Sequence, residues 1–364
     1  VPDEPVRYGG PALYPLLLAP IVWLAPLRGP AILNALLLAV AALVAAGTLV
    51  RRSGSAAVAV VAVCVFASVM YRNVFLISPV MLSAACVAVA FHLALRHEEP
   101  ASHGIEEIYR APETTSGSLG RSVLIGALLG LVATHHPLYL LLTIPALAAV
   151  PASSRRSGWI GLMAGLSAAL AAVGLAAHLW GWTIGGPTAG FSLLPFQGSV
   201  GVTAWNGLYF AIGRNTGVLL YFLPFVALLG LWKGGAGRSV LVVTALVGGL
   251  APLALAPFNF FGGPAAVGNG WLVPWFVMLW FVPNGALPRG WLPATILLAL
   301  PGMYPTWLAP SVEPVTADGI YRQSAGRWHR LLPLETTQEP LPPGEVMGNR
   351  FWIRSLNLEA RVGG

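Results

Sequence analysis

Two acids near the start of the chain have the residue type and setting of a catalytic base. Asp3 and Glu4 precede Arg7 and Tyr8, and the apolar run PALYPLLL follows directly. A carboxylate beside an interfacial helix can deprotonate an acceptor hydroxyl, while the arginine pairs with a lipid phosphate. The structural alternative is a solvated terminal segment, and the residue types alone leave both interpretations open.

Further polar residues interrupt or end apolar runs. Arg72 and Asn73 stand between two runs, and Arg214 precedes a third. Such arginines either bind phosphate groups or form salt bridges with the C-terminal tail. His135 and His136 end another run, and neighbours on a helix point about 100° apart, so the pair cannot ligate one metal from the same helix face. We expect a capping or interfacial role for them, with a phosphate or hydroxyl contact as the alternative.

A glycine-rich segment, FNFFGGPAAVGNG at 258–270, places Asn259 and Asn269 beside aromatic residues. Its glycines allow tight turns and close approach of a ligand. It is not a Walker or Rossmann loop, because no lysine follows it and no strand precedes it. No cofactor is predicted; a divalent metal is left open, but no set of ligands supports one. Cys64 and Cys86 lie in apolar runs, which indicates core residues rather than a disulfide.

The composition defines the setting of these residues. Of 364 residues, 56% are apolar and only 9% are charged, and the mean hydropathy is +0.74. Soluble domains carry about 25% charged residues, so the chain is predicted to be an integral membrane protein. The net charge of +7 does not indicate nucleic-acid binding, because most of the basic residues lie singly or in pairs at the ends of apolar runs.

Eleven apolar runs can be read along the chain. They lie near 11–27, 31–50, 56–71, 74–95, 122–135, 137–151, 158–180, 217–232, 239–257, 271–283 and 290–306. Prolines break the first, so we interpret it as interfacial or re-entrant; His135, His136 and Pro137 divide 122–135 from 137–151, which are two short spans or a hairpin. We predict an all-α polytopic membrane protein with about ten transmembrane helices.

The predicted organisation has three parts: an outer loop with an interfacial helix (1–30), a transmembrane bundle (31–306) and an extracytoplasmic tail or the start of a periplasmic domain (307–364). With both termini outside, ten basic residues fall in inner loops and four in outer loops, which agrees with the positive-inside rule. None of the thirteen acids lies within a predicted crossing. An ion-coupled transporter usually needs such acids.

Four segments together resemble bacterial membrane proteins of the GT-C glycosyltransferase superfamily, the protein O-mannosyltransferase-like group. They are DEPVRYGGPALYPLL, LLGLVATHHPLYLLLTIPAL, LYFAIGRNTGVLLYFLPF and FNFFGGPAAVGNGWLVPWF. The resemblance implies a polyprenyl-phosphate sugar donor, an active site on the outer face of the bacterial inner membrane, and a catalytic acid at Asp3, with Glu4 as its substitute. The helix that precedes this acid in the fold does not appear in the sequence, so we expect a truncated chain.

Two departures from the pattern support an alternative. Gly270 and Trp271 stand where many relatives have Arg and an aromatic residue, and Tyr71-Arg72-Asn73 stands where many have a second acid. The first hypothesis is glycosyl transfer, with Arg72 or Arg214 neutralising the leaving lipid phosphate. The second is a non-catalytic membrane subunit that binds a membrane-protein partner through its tail and outer loops. A carrier of lipid-linked sugars is a third, weaker hypothesis.

Overall fold

The computed structural model describes residues 13–95, 115–151, 154–180, 200–213, 217–255, 270, 272–284, 287–308 and 332. These residues are mostly helical, and none of them is in a strand. The longer α-helices are α1 (Leu13–Leu24), α2 (Gly29–Ser53), α3 (Ala56–Phe66), α4 (Val80–Leu95), α5 (Thr115–His135), α7 (Arg155–Trp180), α8 (Val200–Ile212), α11 (Ala236–Leu255) and α13 (Trp291–Leu308). The short ones are α6 (Thr143–Ala148), α9 (Val218–Tyr221), α10 (Leu223–Leu228) and α12 (Leu272–Val277), with 3-10 helices at Val69–Phe75, Pro137–Leu142, Leu229–Leu231 and Met278–Phe281.

Two of the described helices are long and apolar enough to cross a membrane, α2 over Gly29–Arg51 and α7 over Arg155–Leu179. A third candidate is the pair formed by α3 and the 3-10 helix Val69–Phe75, which is bent by 62°. Several other apolar helices are shorter than a span. The helical membrane-protein class therefore fits the described residues, whereas ten crossings stay a prediction.

Some predicted runs are broken where the sequence suggested continuity. The run 56–71 ends as an α-helix at Phe66, and the run 217–232 divides into α9, α10 and a 3-10 turn. Pro224 lies in the first turn of α10, where its missing N–H costs no hydrogen bond, but it could not continue α9 without losing one. The structure therefore contains more short helical pieces than the hydropathy pattern predicts.

Hydrogen bonds near the helix termini distinguish the two ends of the bundle. At one end, Asn34 near the start of α2 bonds the carbonyl of Leu76 at 2.7 Å, and Ser83 near the start of α4 bonds His135 at the close of α5. We call this the site end. At the opposite end, Thr48 of α2 bonds His92 of α4 at 2.7 Å.

Glycines let α5 and α7 pack backbone to backbone. A Cβ added at Gly126 would overlap the carbonyl of Leu162, and one added at Gly165 would overlap the carbonyl of Val123. Gly130 also lies close to α7, where a Cβ would stand 2.8 Å from the Cβ of Ala169. Since only glycine fits these contacts, the two parallel helices are in close backbone contact over these turns.

The core of the described residues is apolar and rich in aromatic rings. Phe222 packs edge-on against Phe276 at 4.9 Å between ring centroids, and Phe225 lies 5.5 Å from Trp280. Both cysteines, Cys64 and Cys86, are buried and free, which confirms their prediction as core residues. Phe91 of α4 lies 6.3 Å from Phe281 between ring centroids, so the later helices also pack against α4, which carries Ser83 at the site end.

Candidate functional site

A short 3-10 helix, Val69–Phe75, carries the first pair of predicted site residues. Ser68 begins it: the Ser68 hydroxyl donates to the carbonyl of Cys64 at 2.5 Å and accepts from the backbone N–H of Met70 at 3.2 Å. The side-chain bond back to α3 competes with helix continuation and turns the chain at this point. Arg72 and Asn73 follow on this bent segment, not in an exposed loop between two runs.

Burial distinguishes Arg72 from the other charged residues that the structure describes. Its side chain is 2% exposed, and it is the one charged residue among the buried side chains that the structure describes. The sequence places it in an outer loop where it would meet solvent or lipid head groups. The structure corrects this placement, because the bend at Ser68 returns the segment against α2 and α4. A guanidinium held in an apolar surrounding acts on nearby charges more strongly than one in water.

Asn34 holds this segment in place, although sequence reasoning did not select it. Its Nδ2 donates to the carbonyls of Leu76 at 2.7 Å and Asn73 at 3.3 Å, while its Oδ1 accepts from the hydroxyl of Tyr14 at 3.0 Å. All polar groups of the amide are thus used in joining α1, α2 and the 3-10 helix. The signal was present in the sequence, because Asn34 is a lone amide in the otherwise apolar run 31–50.

Asn73 is held by its own segment as well. Its Nδ2 donates to the carbonyl of Val69 at 3.2 Å, one turn earlier. It also faces the end of the glycine-rich segment, since a Cβ built on Gly270 would lie 3.8 Å from the Asn73 Oδ1 and 3.2 Å from Val80. Two regions almost 200 residues apart in sequence therefore meet at the site end.

The two histidines lie at the same end of the bundle but form different hydrogen bonds. His135 Nδ1 forms a hydrogen bond with the hydroxyl of Ser83, and its Nε2 is buried without a hydrogen-bond partner among the described residues. His136 accepts from the backbone N–H of Leu138 at 3.2 Å and so caps the 3-10 helix Pro137–Leu142. Its ring also meets the ring of Tyr139 edge-on at 5.9 Å. The cap is the structural role that the sequence suggested for this pair.

The remaining predicted site residues lie outside the described residues. They are Asp3, Glu4, Arg7, Tyr8, Arg214, Asn259 and Asn269. The structure therefore brings together Arg72, Asn73, His135 and His136 at one end, with Gly270 beside them. No group of three metal-ligating side chains occurs within the described part of the chain.

Comparison of the chain with protein-family models, with curated proteins and with solved structures finds no match in any of the three. The chemistry that the site can perform therefore follows from its residues alone. Here the sequence adds one more constraint: every Asp and Glu of the chain falls outside the described ranges. Any carboxylate in the vicinity of Arg72 therefore comes from segments outside these ranges.

The arrangement supports one kind of chemistry better than others. A fixed guanidinium near the end of an apolar bundle can stabilise negative charge that develops on a phosphate oxygen. The neutral donors and acceptors beside it, the Asn73 amide and the His135 ring, can orient a polar head group. A proton acceptor strong enough to activate a hydroxyl group is expected from Asp3 or Glu4.

Proposed function

We propose that this chain is a membrane-embedded glycosyltransferase that moves a sugar from a polyprenyl-phosphate donor to an acceptor at the extracytoplasmic face of a bacterial inner membrane. The supporting observation is that two segments that carry the GT-C resemblance meet at the same end of the bundle as the segment of Arg72, the candidate phosphate contact. Arg72 with Asn73, His135 with His136, and Gly270 all lie at the site end. If the resemblance had arisen by chance, nothing would require these segments to lie at the same end of the bundle.

In the proposed reaction, Asp3 takes the proton of the acceptor hydroxyl, with Glu4 as its substitute. The acceptor oxygen forms a bond to the anomeric carbon while the bond from that carbon to the phosphate oxygen breaks. The bonding electrons leave with the polyprenyl phosphate, whose added charge Arg72 neutralises. Arg214 is the second candidate for this task, and Asn259 and Asn269 are the candidate contacts to the sugar.

The burial of Arg72 supports this role on electrostatic grounds. Charge stabilisation is strongest where donors are already oriented and water is excluded, because neither dipoles nor solvent must reorganise during the reaction. Asn34 and Ser68 hold the segment of Arg72 before any substrate arrives. Preorganised charge of this type lowers the barrier of the chemical step more than it tightens donor binding.

The lipid part of the donor also has a suitable surface. Leu36 and Leu43 of α2 are more than half exposed, on a helix that is long and apolar enough to span a bilayer. An isoprenoid chain is apolar and is already dissolved in the membrane, so it needs contact rather than a closed pocket. The head group alone then has to be recognised at the site end.

The decisive experiment uses Asp3 in membranes that contain the full chain. Wild type and Asp3→Asn are given polyprenyl-phosphate mannose, with glucose and N-acetylglucosamine donors in parallel, and release of polyprenyl phosphate is measured. The wild type is expected to turn over one donor, whereas Asp3→Asn loses transfer without a change in melting temperature. Undiminished transfer by both Asp3→Asn and the double variant with Glu4→Gln would refute the assignment.

A non-catalytic membrane subunit is the second candidate, and one observation favours it. Tyr71-Arg72-Asn73 occupies the place of the second acid, and this segment is fixed by hydrogen bonds through Asn34 and Asn73. A segment so fixed can serve as structure alone. This alternative predicts a partner in constant stoichiometry after mild solubilisation, with no donor consumed by any of the sugars tested.

A further inference from the structure

A small crevice opens at the opposite end of the bundle, away from Arg72. Its volume is about 20 Å³, close to the space of one water molecule. It lies where the end of α4, the start of α5 and the connection from α6 to α7 meet. Arg121, Ser122 and Ser154 supply its polar lining, and apolar residues such as Leu93 and Ile125 supply the rest. A crevice of this size accepts an oxygen atom of a ligand, while the rest of the ligand remains outside.

Basic side chains lie beside this opening at the start of α7. Arg155 and Arg156, both exposed, follow Ser154 directly in the first turn of α7. The start of a 26-residue helix also presents the positive end of its dipole. Arginine forks and helix N-termini both favour phosphate oxygens, so the three arginines and the helix end select an anion.

The surface beside the crevice is apolar and is suited to a membrane. Trp159 is 46% exposed, and its indole N–H donates to the carbonyl of Leu147 at 3.1 Å, which joins α7 to α6. Ile160 and Met163 continue the exposed apolar surface along α7. Tryptophan is enriched where hydrocarbon meets water, which places the arginines at head-group level on this candidate span.

We propose that this crevice binds the phosphate of an anionic phospholipid. One phosphate oxygen enters between Ser122 and Ser154, Arg121 holds a second, and Arg155 and Arg156 provide the surrounding charge. The acyl chains lie along Ile160 and Met163. A free phosphate ion would use the arginines but gain nothing from this apolar flank, which is why we assign a lipid.

The test measures lipid retention by native mass spectrometry on the full chain in detergent, with phosphatidylglycerol and phosphatidylcholine as probes. Wild type should retain phosphatidylglycerol at least tenfold more tightly. Arg121→Gln should weaken this binding about tenfold, and Arg289→Gln less than twofold, because Arg289 is exposed between other helices. Arg121→Lys keeps the positive charge but loses the planar guanidinium with its paired N–H donors. It should weaken phosphatidylglycerol binding about threefold at an unchanged melting temperature.

Three results would overturn the assignment. Equal losses in Arg121→Gln and Arg289→Gln would indicate diffuse surface attraction rather than a site. Equal retention of the two lipids would remove the role of net charge. Displacement of phosphatidylglycerol by millimolar inorganic phosphate, with the phosphate retained in its place, would identify a site for a free anion. None of these readouts depends on glycosyl transfer, so the proposal stands or fails separately from the proposed function.

Discussion

The hydroxyl of Tyr14 donates a hydrogen bond of 3.0 Å to Oδ1 of Asn34, and both side chains are fully buried. Asn34 in turn holds the carbonyls around Arg72. The bond therefore links the helix that follows the predicted catalytic acids to the segment that carries the predicted phosphate contact. It therefore fixes the position of the start of α1, the helix that follows Asp3 and Glu4 in the sequence.

We predict that Tyr14 and Asn34 stabilise the fold as a coupled pair. Tyr14→Phe keeps the ring but leaves the Oδ1 of Asn34 without its donor, which should cost about 1–2 kcal/mol in the free energy of unfolding. Asn34→Ala should cost more, since it also releases the carbonyls of Asn73 and Leu76. Thermal unfolding of both single variants and the double variant in detergent gives the coupling; simple additivity of the two losses would contradict it.

Arg72 should act on the chemical step. If it neutralises the leaving phosphate, Arg72→Gln lowers kcat about 100-fold or more and changes KM less, because the charge develops in the transition state. The matched control is Arg28→Gln, which removes the same charge from an exposed turn between α1 and α2. The control should stay within twofold of wild type. Equal effects of the two substitutions on kcat would assign Arg72 a structural role.

Substitutions of His136 can distinguish a helix-capping role from a direct contact to the substrate. As an N-cap it can be replaced by Asn, whose side chain accepts the same backbone N–H, whereas His136→Ala should cost about 1 kcal/mol. We expect His136→Asn to keep both the melting temperature and transfer activity. Loss of transfer in the Asn variant, at normal stability, would show that the ring itself is needed.

The contact between α5 and α7 should tolerate no side chain at its closest points. Gly126→Ala and Gly165→Ala each force the helices apart and should cost about 1–3 kcal/mol, seen as a lower melting temperature. Gly47→Ala in α2 is the control, because a Cβ there meets nothing within 4 Å. It should be neutral or slightly stabilising through helix propensity. A loss in the control as large as in the other two would point to glycine flexibility instead of close packing.

Much of the fold could be predicted because hydropathy alone locates apolar helices. The helix boundaries in α2 and α13 lie within three residues of the predicted runs, and α4 ends with its run but begins six residues later. The bends were missed, since hydropathy is insensitive to whether a run continues as one helix. At Ser68 the decisive interaction is a single hydroxyl bond to Cys64, which a window of apolar residues cannot register.

The site was predicted in part. The sequence selected Arg72, Asn73 and the two histidines by their charge and their position at the ends of runs, and they do lie at one end of the bundle. It missed Asn34 and Ser83, because their importance depends on partners about 40 and 50 residues away. It also missed the burial of Arg72, which depends on how the 3-10 helix is turned. The acids at the start of the chain lie outside the described residues, and their role stays a prediction.

The glycine-joined pair α5 and α7 has a mechanical consequence. Two helices in backbone contact along several turns cannot slide or twist against each other without breaking that contact. They therefore move as one rigid unit. Its length is about 30 Å, from the 21 residues of α5. One end bears Arg121 and the start of α7, and the other bears His135. If a lipid displaced the first end, the second end would therefore move with it.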